Sequence, residues 1–218
     1  MQTISLRAIR KTGSKFTIRS SGHHSNAGFT SVDKSGVVID VRNLKSMSVS
    51  DNNVVHVGAG CTFGEIYDFV EKNDLSVMGV RNLDVSPSGF LLGGNIMHAN
   101  AKENADLYFV LKGGGPNYGI VTRFDLQAYP MIQTQYTVNL YDPSDYVNIL
   151  QATVDVQEAM EKDPKIGLFV NFQSAYVAVG LLYADSPAER PGAFEPFFGL
   201  KSLIQAGVPT TNGTIKSL

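Results

Sequence analysis

The sequence predicts an α+β protein, on three observations. Short β-branched runs precede one amphipathic helix in the first half of the chain, and a strand, a long helix and two more strands follow in the second half. Nine of the 21 glycines gather in three bends, GAG at 58–60, SGFLLGG at 88–94 and KGGGPNYG at 112–119. Clustering of that kind marks backbone held close to something or turned through positive φ.

The elements run in order along the chain. KFTIRS alternates as a strand does and runs into the loop RSSGHHSNAG, Arg19 to Gly28. GVVIDV (Gly36 to Val41) and NVVHVGAG (Asn53 to Gly60) read as two β-branched, mostly buried strands, so that three short strands open one sheet. In CTFGEIYDFVEKNDL, Thr62 and Glu65 stand at capping-box spacing, and Phe63, Ile66, Tyr67 and Val70 recur at helical intervals. This predicts an amphipathic helix closing near Asn73. SGFLLGG reads as an apolar turn, and NADLYFVLKGGG as a short helix with Asn104 at its cap and glycine at its end. GIVTRFDLQAYP is a strand with Ile120, Thr122, Phe124 and Leu126 on one face, stopped by Pro130. A domain boundary is placed near residue 128. Beyond it, TQYTVNLYD is a strand, PSDYVNILQATVDVQEAMEKDP a long helix capped by Ser144, and IGLFVNFQ and AYVAVGLLYAD an antiparallel pair under that helix. The tail from Ser186 carries apolar residues that need a partner surface and is expected to supply no further strand.

Composition narrows function by exclusion. At 218 residues and 43% hydrophobic the chain can bury real cores, and a net charge of -2 with scattered cations gives no footprint for nucleic acid or anionic lipid. Neither a nucleic acid nor a membrane is expected as partner: no apolar run is long enough to span a bilayer, and no charged-then-apolar leader opens the sequence. The single cysteine, Cys61, forbids an internal disulfide and reads as a small buried residue beside a helix start. Neither G-x-G-x-x-G nor a P-loop is present, and no Ser-His-acid order comes with an elbow motif.

The loop RSSGHHSNAG supports two readings. Successive small residues let backbone N–H groups share one concavity, which with Arg19 and the serine hydroxyls suits a pyrophosphate, and a histidine there can touch or bond the ligand. The same residues also make a polar hairpin turn whose histidines face water, and His24 is left to that reading. No metal is expected, because His23 and His24 point apart and nothing else lies at ligand spacing. His56 reads as a satisfied strand histidine, and His98 has no neighbour to orient it as a base.

The succession IRSSGHHSNAGF, GVVIDVRNLKSMSV, VHVGAGCTFGEIYDFVEKNDLSVMGVRNLDVSPSGFLLGG and ENADLYFVLKGGGPNYGIVTRFDLQAYP resembles the FAD-binding domain of the berberine-bridge-enzyme-like flavoprotein oxidases. These are of the vanillyl-alcohol-oxidase or PCMH type, and the likeness is strongest to fungal members. It covers most of residues 15–130, and the chain after residue 130 is similar to the opening of that family's substrate domain. The resemblance implies an incomplete PCMH-type FAD-binding domain over 1–127 and the start of an antiparallel-sheet substrate domain with covering helices over 128–218.

FAD is the implied cofactor, with His23 at the position of a covalent bond to the flavin ring. The implied cradle is Arg19, Ser20, Ser21, Gly22, His23 and Ser25 in the first loop, Val85, Ser86, Ser88 and Gly89 in the second, then Gly93, with Gly119 and Ile120 on the adenine side. Many members carry a second attachment through a cysteine where this chain has Asn82, and Pro87 lacks an N–H that a glycine would offer. The implied reaction is hydride transfer from a small organic substrate to flavin with O2 as acceptor, in secondary metabolism; the catalytic base lies outside these residues.

The departures from the family are equally definite. Only a remnant of its N-terminal lobe stands before Lys15, a block is expected to be missing between Gly94 and Ile96, and the family completes its substrate sheet beyond the position of Leu218. The rival expectation is a non-catalytic remnant that binds FAD weakly or not at all and associates through exposed sheet edges. The compartment is left open, full-length relatives being often secreted.

Overall fold

A computed structural model of the chain describes residues 8–23, 31–90, 100–111 and 120–217 and divides into two units, Met1–Pro130 and Met131–Leu218. In the first unit, residues 8–12 are helical and lead into β1 (Phe16–Arg19), which pairs in parallel with β2 (Val37–Asp40). A second, antiparallel sheet has the order β3 (Met47–Val49), β4 (Val54–Gly58), β6 (Arg123–Pro130), β5 (Leu75–Val77).

This corrects the single opening sheet that the sequence predicts. β1 and β2 run the same way and pair with each other, and β4 pairs instead with β3 and β6. Ile18 and Ile39 pack onto Val41, Ala59 and Phe124, which joins the ribbon to the larger sheet. Val37 and Val38 are nevertheless each 38% exposed where burial was expected.

The longest helix among the described residues of this unit, α1 (Phe63–Glu71), forms as its spacing dictates. Thr62 Oγ1 accepts from Glu65 N at 3.4 Å, Glu65 Oε2 accepts from Thr62 N at 2.9 Å, and Phe63, Ile66, Tyr67 and Val70 are the buried residues. Asp74, at φ +55°, then turns the chain into β5, a strand that the short run Leu75–Val77 does not announce. SGFLLGG begins with a helical turn, α2 (Pro87–Phe90), where an apolar turn was expected. α3 (Ala105–Leu111) is the helix predicted after Asn104, and Asn104 O accepts from Tyr108 N at 2.9 Å. Asn104 has φ +48°, not the extended backbone usual for a capping residue.

The second unit is a sheet of order β10 (Leu203–Thr214), β7 (Gln133–Tyr141), β9 (Val177–Tyr183), β8 (Ile166–Phe172), antiparallel throughout. Across one face lies α4 (Tyr146–Met160), whose Ile149, Ala152 and Val156 meet Tyr141, Val177, Val179 and Leu181. The short α5 (Glu195–Phe198) closes this core with Phe197, and Phe194 precedes it. Each fully buried Ile or Val contributes about 1.5–3 kcal/mol.

Two expectations are corrected in this unit. The turn into α4 is capped by Asp142, not Ser144: Asp142 Oδ1 accepts from Ser144 N at 2.8 Å and from Ser144 Oγ at 2.7 Å. The tail does supply a strand, because β10 pairs with β7 from Leu203 to Thr214. Register shifts at three places, one of them spanning Pro209, absorb the residues that break its alternation. Among the described residues no helix is long and apolar enough to cross a membrane.

Candidate functional site

The site is assembled at one end of the first unit, where the loops after β1, β4 and β5 meet. The scaffold is α1. Its first N–H groups have no partner within the helix, and the neighbouring loop supplies them: Phe63 N donates to Val85 O at 2.8 Å and Gly64 N to Leu83 O at 2.9 Å. The loop itself is a turn closed by Val85 N on Asn82 O at 3.2 Å, with Asn82 Oδ1 accepting from Asp84 N at 3.1 Å. Tyr67, one turn into α1, donates from its buried hydroxyl to Val80 O at 2.8 Å. Gly79 is close-packed on the same helix, since a Cβ there would stand 2.4 Å from both Phe63 Cε1 and Tyr67 Oη. Gly79, Val80, Arg81 and Asn82 line an open cavity of about 560 Å³.

The second half of the cradle converges on Ala59. Its carbonyl receives Ser20 Oγ at 2.7 Å, Ser88 Oγ at 2.7 Å and Ser86 Oγ at 3.0 Å, while Ser20 Oγ and Ser86 Oγ also approach each other at 2.8 Å. Ser86 N donates to Ser21 Oγ at 3.3 Å, and Ser88 N to Ser86 Oγ at 3.2 Å. Ala59 N donates to Thr122 O at 3.0 Å, which draws in the segment that begins at the half-buried Ile120. Gly60 allows this approach, because a Cβ there would lie 2.3 Å from Val41 O and 2.6 Å from Arg42 O. Pro87 opens α2 at a position whose N–H a helix leaves unpaired, so its missing donor costs the turn nothing.

Arg19 stands at the rim. Its guanidinium reaches Asp40 Oδ2 at 3.2 Å, but Arg42 holds the same carboxylate through Nε at 3.0 and 2.9 Å and through its terminal nitrogen at 2.8 Å. The hydrogen bonds from the Arg42 side chain and backbone, with a smaller one from Arg19, keep Asp40 far below the usual carboxylate range. Two cations on one carboxylate leave a net positive charge at the loop. Arg19 Nε is buried and, among the described residues, has no hydrogen-bond partner. A buried donor without a partner is costly, and an anion placed over the loop would satisfy it. Gly22, at φ +77°, turns the chain behind Arg19 and brings His23 to the cavity edge, where its Nε2 lies 3.0 Å from Asn82 Nδ2.

The structure therefore gathers most of the predicted residues. Arg19, Ser20, Ser21, Gly22 and His23 meet Val85, Ser86 and Ser88 around Ala59 and the cavity, and Gly89 lies in α2. Ser25, Gly93 and Gly119 lie outside the described residues, as do His24, His98 and the junction between Gly94 and Ile96. His56 is the satisfied strand residue expected, with Nδ1 at 2.8 Å from Asp125 Oδ1. Burial works to raise the Asp125 pKa, and hydrogen bonds from His56 and Arg123 outweigh it and hold the group low. Cys61 is fully buried, and burial pushes its thiol up. Sequence reasoning missed the Ala59 carbonyl, the Tyr67 brace and the Asn82 contact to His23. Of these only Ala59 carries a signal, a small residue between two glycines that pack on neighbouring backbone.

Residues 4–112 match a family model described as an FAD binding domain. The chain is 32% identical to an FAD-dependent monooxygenase of Arthrobotrys oligospora, over 89% of this chain and 43% of that protein. Its fold superposes on the wild-type BBE-like 1 protein of Physcomitrella patens with a TM-score of 0.82 at 18% identity, covering 95% of this chain and 51% of that one. It also superposes on the glucooligosaccharide oxidase of Acremonium strictum, described with a 6-S-cysteinyl, 8α-N1-histidyl FAD, with a TM-score of 0.76 at 17% identity, covering 95% and 50%. The chain thus spans about half the length of the proteins it matches.

Proposed function

The chain belongs to the FAD-binding domain family, and from that premise we propose that it is the FAD-holding part of a flavin-linked oxidoreductase of the BBE-like, VAO-type group. The whole protein would take a hydride from a small organic substrate and pass the electrons to O2, in fungal secondary metabolism. When bound, FAD supplies the two-electron redox chemistry, and the protein supplies binding, orientation and exclusion of water.

The observation that carries this reading is the loop Arg19–His23 clasped to Ser86, Ser88 and Ala59 at the rim of an open cavity, with Arg19 Nε buried and without a partner among the described residues. Arg19 is suited to the pyrophosphate, because Arg42 already holds most of the charge of Asp40. The serine hydroxyls donate to Ala59 O, so their work in this structure is to hold the loops in register. Gly79 and Val80, braced by α1, shape the wall at which His23 stands. Gly119 and Ile120 are assigned to the adenine side. Within the same proposal, β8 and β10 are the outer strands through which copies would associate.

The test is an FAD titration of the purified chain followed by flavin fluorescence. The wild type takes up FAD, and Arg19→Gln weakens binding ten- to hundredfold, roughly the loss of one or two charge-assisted hydrogen bonds. A wild type that takes up no FAD, or a variant that binds as tightly, refutes the reading; the first outcome is that of the non-catalytic remnant.

A further inference from the structure

We propose that Asn82 is the positioning residue of His23: its amide holds the imidazole with the ring hydrogen on Nδ1, and FAD is consequently held in this chain without a covalent bond to that histidine. The inference rests on the reading of the loop as the FAD site.

The orientation of the Asn82 amide is fixed from its far end. Asn82 Oδ1 accepts from Asp84 N at 3.1 Å, inside the turn closed by Val85 N on Asn82 O. Turning the amide over would lose that bond and set two donors face to face. The amide NH2 therefore points at His23, where Nδ2 lies 3.0 Å from Nε2. A donor facing Nε2 requires a lone pair there, and an imidazole that offers one nitrogen as acceptor carries its hydrogen on the other. The turn has little freedom to relax, since Leu83 O and Val85 O are tied to the first N–H groups of α1 and Val80 O to Tyr67.

This arrangement opposes covalent attachment at either nitrogen. Nδ1, through which an 8α-N1-histidyl FAD such as that of the Acremonium strictum oxidase is joined, carries a hydrogen and has no free lone pair. Nε2 has the lone pair and is covered by Asn82. Attachment at Nδ1 would need the hydrogen moved to Nε2 and an acceptor facing it, and a carboxylate at position 82 would be that acceptor. Bond formation replaces a C–H of the flavin 8α carbon and the ring N–H by a C–N bond. The two electrons and two protons released go to dioxygen, which becomes hydrogen peroxide.

Two measurements test this on the full chain. In a long-range 1H–15N spectrum of the 15N-labelled protein, with His23 assigned by its disappearance in His23→Ala, the wild type shows Nδ1 protonated and Nε2 bare. In the second, air-saturated protein is loaded with FAD and precipitated with acid. The wild type releases its flavin to the supernatant. Asn82→Asp retains at least tenfold more in the pellet, and adding His23→Ala to that variant abolishes the retention. A hydrogen on Nε2 in the wild type overturns the proposal, as does flavin that stays with wild-type protein through precipitation, or an Asn82→Asp variant that releases all of it. Failure of every form to take up FAD overturns the cofactor reading instead, and the nitrogen spectrum still decides the tautomer.

Discussion

Tyr67 joins the core of the first unit to the wall of the site, and replacing it with phenylalanine tests that link through pH. The side chain is 3% exposed and its hydroxyl donates to Val80 O at 2.8 Å. Burial pushes its pKa up from 10.0 to about 12. A raised folded-state value means that the neutral phenol is favoured by folding. The associated stability is complete below the unfolded pKa and is lost as pH rises through the folded one, a window from 10.0 to about 12. Two pKa units correspond to about 3 kcal/mol, of which roughly half is gone midway through the window.

At neutral pH, Tyr67→Phe loses one hydrogen bond and is less stable than wild type by about 1 kcal/mol. Since only the wild type carries the titrating phenol, the gap closes above pH 10 and reverses before pH 11 by the same linkage, at roughly those values. Urea melts followed by far-ultraviolet circular dichroism measure it, the transition of the first unit being the one that Ile66→Ala displaces. A gap that stays constant from pH 8 to about 11 refutes the assignment of the shift to Tyr67.

Two further expectations concern packing. Ile149→Ala, at a fully buried position of α4, destabilises the second unit by about 2–5 kcal/mol, read as a lower urea midpoint for that transition alone. Gly60→Ala sets a methyl group 2.3 Å from Val41 O, which only a backbone shift relieves. It should weaken FAD uptake at least tenfold in a fluorescence titration, and unchanged affinity would mean that the Gly58–Gly60 bend does not position the loops.

What the sequence disclosed depends on whether an element is decided locally. The start and the buried face of α1 were legible, because Thr62 and Glu65 form a capping box and four apolar side chains at helical spacing are buried together; its end, expected near Asn73, falls at Glu71. The strand pair β8 and β9 was legible because continuous apolar runs flank a short turn. Three features were not. The pairing of β1 with β2 and not with β4 is a long-range choice on which alternation is silent. β10 hides behind Gly207, Pro209 and Gly213, which break its pattern but are tolerated at the edge of a sheet. Asp142 caps the turn into α4 because a 3-10 turn over Pro143–Asp145 shifts the start by two residues from Ser144.

At the site the small-residue loops were readable as backbone that must come close to something, and residue identity could not say that a main-chain carbonyl gathers them. His23 was picked out by its loop. Its partner Asn82 lies 59 residues away and has no local signature.

The oxygens around Ala59 have one more property. Ser20, Ser86 and Ser88 bring three hydroxyl hydrogens to four oxygen–oxygen approaches, so one approach is always empty of hydrogen and the pattern can be permuted by rotating hydroxyls alone. Redistributing those hydrogens changes which oxygen presents a lone pair, and hydroxyl rotation achieves it with the main chain left in place.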